Sequence, residues 1–352
     1  VRTAYQTQPE ELSELTPGEP RYRADQLRRW LYRHPVLTPD GMTNLPATLR
    51  ESLRDRLWPF HLETELSADD GRTRKWLFRT IDGASIETVV MGYRDRTTIC
   101  ISSQAGCAMG CTFCATGQFG FERHLDAGEI VAQVAYANAA VRQSPLRDAP
   151  DRVTNVVFMG MGEPLANYRN VRESLHRIID VIDLSARAVT VSTVGVVPGI
   201  DQLAAEPWQV GLAVSLHAAD DELRSELIPL NRRYPLEAVI AASERFFRST
   251  GRRISIEWTL MAGSNDTPRQ AVKLAAIATR LQAHVNVIAM NPTPLTTMQA
   301  PGRDTIDAFM TTLRDHGANA TFRDTRGKDI DAACGQLRLR AATRSTKTEK
   351  VP

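Results

Sequence analysis

The sequence has little of what marks secreted, membrane-spanning or polycationic proteins. It contains five cysteines, four of them crowded into "CISSQAGCAMGCTFC" from Cys100 to Cys114. An odd, clustered set argues against a disulfide scaffold and for metal-binding or catalytic thiols. No apolar run is long enough to cross a bilayer, and no charged-then-apolar leader opens the chain. The expectation is a soluble protein of the cytoplasm with no membrane contact. Formal net charge is only +2, so any contact with nucleic acid has to come from local patches. Solenoid repeats and low-complexity tracts are also missing. What is present is 352 residues, 42% of them hydrophobic, enough for one large domain or a core plus a smaller module.

The order of elements is legible. "RYRADQLRRWLYRHP" is an amphipathic helix stopped by Pro35, and "TNLPATLRESLRDRLW" is a second with a proline near its first turn. Residues 62–93 change period, and "TRKWLFRTIDGASIETVVMGY" reads as two strands around an Asp82-Gly83 turn. From about residue 97, six short β-branched strands alternate with helical patterns, which predicts right-handed βαβ units, a parallel sheet and a partial or full α/β barrel. The expected organisation is a helical N-terminal domain (1–61), a β-hairpin connector (62–96), a barrel (97–340) and a disordered tail (341–352). Barrel chemistry sits at the C-terminal ends of the strands. The residues there are the cysteines, "GMGEPL", Ser192, "SLH" and Asn291.

Cys107, Cys111 and Cys114 follow the spacing C-x3-C-x2-C. Three thiolates in a tight loop can hold three irons of a four-iron cluster, leaving the fourth open to a ligand. A zinc site completed by Cys100 or His124, or a set of buried free thiols, are the other readings. Structural zinc more often uses two C-x2-C hooks, and there is one here.

At these residues the chain resembles the radical S-adenosylmethionine (SAM) superfamily. The resemblance implies that SAM chelates the open iron of a [4Fe-4S] cluster and is cleaved to a 5′-deoxyadenosyl radical. "FMGMGEPLAN" resembles the superfamily's Gly-Glu segment, with Gly162 and Glu163 receiving the SAM amino group. On residues alone it reads equally well as a plain strand-to-helix turn.

"CISSQAGC", "FMGMGEPLAN", "VSTVGVVP", "SLHAADDELRSELIPLN" and "RDTRGKDIDAACGQL" together resemble the RlmN/Cfr family of radical SAM RNA methyltransferases, over roughly residues 20–340. That family implies a radical SAM partial (β/α)6 barrel with a small RNA-contacting N-terminal domain. It also implies two SAM molecules per turnover. Cys334 matches the thiolate that first takes a methyl from SAM, because an adenine carbon between two ring nitrogens is too electron-poor to attack SAM itself. A radical on that methyl then adds to the ring. Glu87 matches the base that removes the ring proton, and Cys100 the thiolate that attacks the Cys334 sulfur, frees the RNA and leaves a disulfide.

Read alone, Glu87 lies in an apolar strand where a raised pKa suits a base, or it is an ordinary solvent-facing glutamate. Further SAM contacts implied by the resemblance are Ser192, Ser215, Leu216, His217 and Asn291. His217 by itself reads as a metal ligand or a core histidine.

The substrate so implied is an adenosine in the peptidyl-transferase loop of 23S rRNA, naked or in early assembly, methylated at C2. An adenosine next to the anticodon of certain tRNAs is the family's second target. The expected chain is a monomer served by an electron donor such as flavodoxin. Cfr-type methylation at C8, methylation of a small heteroaromatic substrate, and a zinc-stabilised RNA-binding protein are the rival readings. In "RYRADQLRRWLYR", Arg21, Arg23, Arg28, Arg29 and Arg33 surround Tyr22, Trp30 and Tyr32, a composition suited to phosphates and unpaired bases. The alternative is a surface helix with Leu27, Trp30 and Leu31 as its core stripe.

Overall fold

The computed structural model describes residues 2–118, 120–291 and 296–323. Cys334 and the tail 341–352 lie outside the described residues. The chain opens with helices α1 (Tyr22–Tyr32) and α2 (Ala47–Leu53), followed by strands β1 (Phe60–Ala68), β2 (Thr73–Thr80), β3 (Ser85–Gly92) and β4 (Thr97–Cys100). A short ribbon, β5 (Gln104–Gly106) and β6 (Phe121–His124), brackets α3 (Ala115–Gln118). Then come α4 (Ala127–Gln143), β7 (Asn155–Phe158), α5 (Tyr168–His176), β8 (Val189–Thr193), α6 (Val197–Ala204), β9 (Gly211–Ser215), α7 (Asp221–Leu227) and α8 (Leu236–Thr250). The series closes with β10 (Ile254–Leu260), α9 (Pro268–Arg280), β11 (His284–Ala289), α10 (Arg303–Asp315) and β12 (Asn319–Arg323).

One ten-stranded sheet runs β1-β2-β3-β4-β7-β8-β9-β10-β11-β12. From β4 to β12 every neighbour is parallel, and from β1 to β4 every neighbour is antiparallel. The six expected βα strands are all present, in an open barrel. The expected hairpin connector needs correcting. It has three strands, and β3 pairs with β4 at Val89↔Cys100, so the antiparallel part is an extension of the barrel sheet. The sequence alternates across β1, with Phe60, Leu62, Leu66 and Ala68 against His61, Glu63, Glu65 and Ser67, a signal the two-strand reading passes over, although only the end residues are buried. β12 has five residues, with Ala320 and Phe322 its only apolar positions and three of the five exposed, too short a pattern to stand out. The Asp82-Gly83 turn is as expected: Gly83 takes a φ of +91° and the Thr80 hydroxyl donates to Asp82 Oδ1 at 2.6 Å.

Helix α2 ends at Leu53, short of the expected Trp58. Pro59 disfavours helical backbone before it and delivers the chain into β1. In α1 the buried stripe is Leu27, Leu31 and Tyr32, with Trp30 half-buried and donating from Nε1 to Asn44 Oδ1 at 2.6 Å. Tyr32 is therefore a core residue and unavailable for stacking on a base. Tyr22 is exposed, with Arg23 over its ring. The N-terminal helices share one apolar core with the barrel, in which Leu27, Leu31, Phe60 and Trp76 join Val191, Val214 and Ile256. Arg177, fully buried, ties them further by donating to the Tyr5 carbonyl at 2.8 Å.

Candidate active site

A cavity of about 300 Å³ opens at the C-terminal ends of the parallel strands. Strands β7 to β11, or the segments that follow them, each deliver one part of its wall. The segment after β7 brings Gly162 and Glu163, β8 brings Ser192, and β9 brings Ser215 and, just beyond it, His217. Asn291 follows β11, and Cys114 comes from the loop between β5 and α3. Seven of the residues expected from the sequence thus converge, although they span almost two hundred positions of chain. Leu216 does not reach the wall. It is buried in the core, and its N–H donates to the Glu257 carbonyl at 3.2 Å.

The Gly-Glu turn is tightly built. Gly162 has a φ of +101°, and a Cβ there would lie 2.5 Å from Gln104 Cβ, so only glycine fits. Gln104 Oε1 accepts the Glu163 N–H at 2.8 Å. The Glu163 carboxylate accepts from the amides of Leu165 at 3.0 Å and Val194 at 2.8 Å. Burial pushes its pKa up to about 7, and the two amides and the Thr193 hydroxyl only partly offset this. The result is a carboxyl that welcomes a cation.

His217 settles differently from either bare reading. Its Nδ1 accepts the Thr259 N–H at 2.9 Å, which leaves Nε2 as the protonated nitrogen of a neutral ring. Burial, with Arg224 nearby, lowers its pKa to about 3. It stands edge-on to Phe113, with ring centroids 4.7 Å apart, at a φ of +56°. It is a neutral donor on the wall.

The cysteine loop begins where Cys107 N–H donates to Gly120 O at 2.8 Å and docks where Thr112 N–H donates to Leu227 O at 3.1 Å. Cys111 is buried, while Cys107 and Cys114 are half-buried. Burial drives the Cys107 thiol up to about 12, with Cys114 and Glu163 adding to it. Burial raises Cys111 too, and Cys114 and Cys107 push it further. Thiols that repel one another's ionisation fit a group that binds thiolates and brings positive charge. Neither residue expected as the fourth zinc ligand joins the three thiols. His124 is instead bonded to Gln104, and Cys100 is held in the sheet opposite Val157. The zinc arrangement is not assembled. A three-thiolate donor set beside an open cavity fits an iron–sulfur cluster with one free iron.

Glu87 and Cys100 are not on the cavity wall. Glu87 is buried in β3, 2.8 Å from Lys75 Nζ, which dismisses the solvent-facing reading. Its carbonyl accepts the Ser102 hydroxyl at 2.6 Å, and Ser102 Oγ in turn accepts the Met161 N–H at 2.9 Å. Thus Glu87 is tied through the backbone to the Gly-Glu segment. Two polar wall residues escaped the sequence reading, Glu257 and Thr259 of β10. The signal was there: they are the polar positions of "ISIEWTL" that follow Ser255 at a spacing of two, on one face of the strand. Glu257 Oε1 accepts from Asn286 Nδ2 at 2.8 Å.

Residues 101–275 match the radical SAM superfamily, and residues 10–58 match the ribosomal RNA large subunit methyltransferase N-terminal domain. The chain is 50% identical over 341 residues to the "Probable dual-specificity RNA methyltransferase RlmN" of Parafrankia sp. (strain EAN1pec), covering 93% of this chain and 89% of that one. A protein of the same description from Chloroflexus aurantiacus is 47% identical over 342 residues, covering 93% and 90%. The crystal structure of a radical SAM methyltransferase from Sphaerobacter thermophilus superposes with a TM-score of 0.88 at 48% identity, covering 96% of this chain and 99% of that one.

Proposed function

The chain belongs to the RlmN family of radical SAM RNA methyltransferases, and from that premise we propose that it methylates C2 of an adenosine in the peptidyl-transferase loop of 23S rRNA and of an adenosine beside the anticodon of certain tRNAs. The family implies a [4Fe-4S] cluster and SAM. The observation that carries the reading is the cavity of about 300 Å³ beside Cys114. Its volume lies at the lower end of ordinary cofactor pockets, and its wall offers a carboxyl for an ammonium and hydroxyl, amide and imidazole groups for a nucleoside.

The residue roles follow the chemistry of each group. Cys107, Cys111 and Cys114 hold the cluster, which when bound supplies one-electron chemistry to SAM. Glu163 receives the SAM ammonium, with Gly162 letting the backbone approach. Ser192, Ser215, His217 and Asn291 orient the rest of SAM, while Leu216, off the wall, ties the end of β9 to β10 through its N–H to the Glu257 carbonyl. The Cys334 thiolate accepts the methyl and presents it to the base. Glu87 takes the ring proton, its carboxylate held in place by the Lys75 ammonium. The Cys100 thiolate attacks the Cys334 sulfur and releases the product. The target adenosine has to be unpaired or extruded to reach Cys334, which favours RNA before its final packing. A small electron-donor protein such as flavodoxin supplies the reductant, and the enzyme works as a monomer.

The test is nucleoside mass spectrometry on 23S rRNA from a strain lacking the modification, after anaerobic reaction with SAM and reductant. Formation of 2-methyladenosine is the expected result. Formation of 8-methyladenosine would make the regiochemistry Cfr-like. Cleavage of SAM with neither product would remove this RNA as the substrate.

A further inference from the structure

Arg224 is a cation in an unusual place. It lies on α7, its side chain is completely buried, and it is among the largest fully buried side chains of the molecule. Its two hydrogen bonds go to neutral acceptors: Nη1 to Asn231 Oδ1 and Nη2 to the Val194 carbonyl, both at 2.6 Å. Its Nε is buried without a partner among the described residues. No acidic side chain accepts a hydrogen bond from it there, and Asp221 acts on it only at longer range. A buried charge with neutral partners is costly and is normally compensated. Burial lowers its pKa to about 10, and the largest influence opposing the shift is Cys111.

The surroundings say what compensates it. Helix α7 also receives the cysteine loop, through Thr112 N–H to Leu227 O. Cys111 packs with Leu227 and Ile228 on that helix end. Arg224 and Cys111 act electrostatically on each other from both sides. An iron–sulfur cluster held by three thiolates is anionic in its oxidised state and more so once reduced. Its potential responds to net charge, hydrogen bonding and burial. At the same time, Val194, whose carbonyl accepts from Arg224, donates its own N–H to Glu163.

We propose that the Arg224 guanidinium is the fixed counter-charge of the cluster held by Cys107, Cys111 and Cys114, easing its reduction, and that the same side chain positions Glu163 through the backbone of Val194. The inference rests on the cluster reading and goes beyond it by assigning control of the potential to a residue that is not a ligand. Arg224 is a positioning and electrostatic residue and touches no reacting atom.

The experiment is a redox titration of the reconstituted full chain, followed by the electron paramagnetic resonance signal of the reduced cluster, in three proteins: unsubstituted, Arg224→Lys and Arg224→Gln. The charge is kept in the first variant and lost in the second. The expected result is a half-reduction potential shifted to more negative values in Arg224→Gln and held near the original in Arg224→Lys. Equal potentials in all three, or equal shifts in both variants, would overturn the proposal and leave Arg224 a purely structural anchor. Should Arg224→Gln not fold, Arg224→Met combined with Asn231→Leu removes the cation with its side-chain acceptor, and the same negative shift is expected. If the unsubstituted protein takes up no cluster at all, judged by its iron content and visible absorbance, the cluster reading itself fails and this proposal falls with it.

Discussion

The ammonium of Lys75 and the carboxylate of Glu87 lie 2.8 Å apart on neighbouring antiparallel strands, with side chains 0% and 1% exposed. Neither strand belongs to the parallel barrel. The antiparallel extension therefore supplies its own sealed ion pair to the sheet that carries the site, and the pair's energetics can be tested apart from the chemistry.

Replacing Lys75 by Met removes the ammonium facing Glu87 and leaves a carboxylate in a dry position. Loss of one member of a buried pair costs about 3–5 kcal/mol. Urea unfolding should report a drop of that order for Lys75→Met. The double variant Lys75→Met with Glu87→Leu should recover much of it, and a double-mutant cycle measures the coupling.

Glu87→Gln keeps the shape of the side chain and removes its basicity. Resolution of the protein–RNA adduct should slow. An unchanged rate in single-turnover assays would count against Glu87 as the base.

Cys100→Ala should trap a covalent protein–RNA adduct, visible as a shifted band on a denaturing gel, because no thiolate is left to attack the Cys334 sulfur. Cys334→Ala should yield neither adduct nor methylated RNA, since no methyl carrier remains. Free product from Cys100→Ala at the normal rate would remove Cys100 from the release step.

The Glu163 carboxyl, raised by burial to about 7, sets a pH dependence with a definite sign. Its folded value lies above its unfolded one, so the native state holds the extra proton between them. That contribution to stability is complete below the unfolded value and is lost as pH rises through about 7. A ligand ammonium favours the ionised form. Affinity of the cluster-free protein for S-adenosylhomocysteine should therefore rise with pH and level off above about 7. Calorimetry in buffers of different ionisation enthalpy should detect the released proton. Glu163→Gln should flatten the profile. His217, with its pKa lowered to about 3, stays neutral throughout and contributes nothing to it.

Gly162→Ala places a methyl 2.5 Å from Gln104 Cβ at a φ of +101°. The strain is on the order of 1–3 kcal/mol, read as a lower unfolding midpoint. Because Gln104 Oε1 also holds the Glu163 N–H, ligand affinity should fall by about tenfold or more. Normal affinity in a destabilised protein would separate the turn from the binding site.

Much of this was legible in the order of residues. The six barrel strands alternate with helices in the sequence because β-branched runs and 3.6-residue apolar patterns are local signals, and the C-x3-C-x2-C spacing is local too. Other elements were harder to read. β1 alternates in the sequence but presents most of its residues to solvent, β12 offers only Ala320 and Phe322 as apolar positions, and α7 is a polar seven-residue helix whose one deeply informative residue, Arg224, looks like a surface charge in the sequence. Glu87 was readable as a strand residue, but its burial was not, because burial depends on β2 beside it and on the segment just after β4, where Ser102 bonds its carbonyl.

The sequence by itself determined the strand and helix order, the three clustered thiols and the family, since each of these is written in short-range spacing or in motifs recurring in fixed order. Only the tertiary structure decided that His217 is a neutral Nε2 donor, that Glu163 is a buried carboxyl poised near neutrality, and that Lys75, Glu87 and Arg224 are buried charges. Protonation and charge compensation are set by desolvation and by partners far away in the chain. Distances across a sheet exist only after the chain has folded.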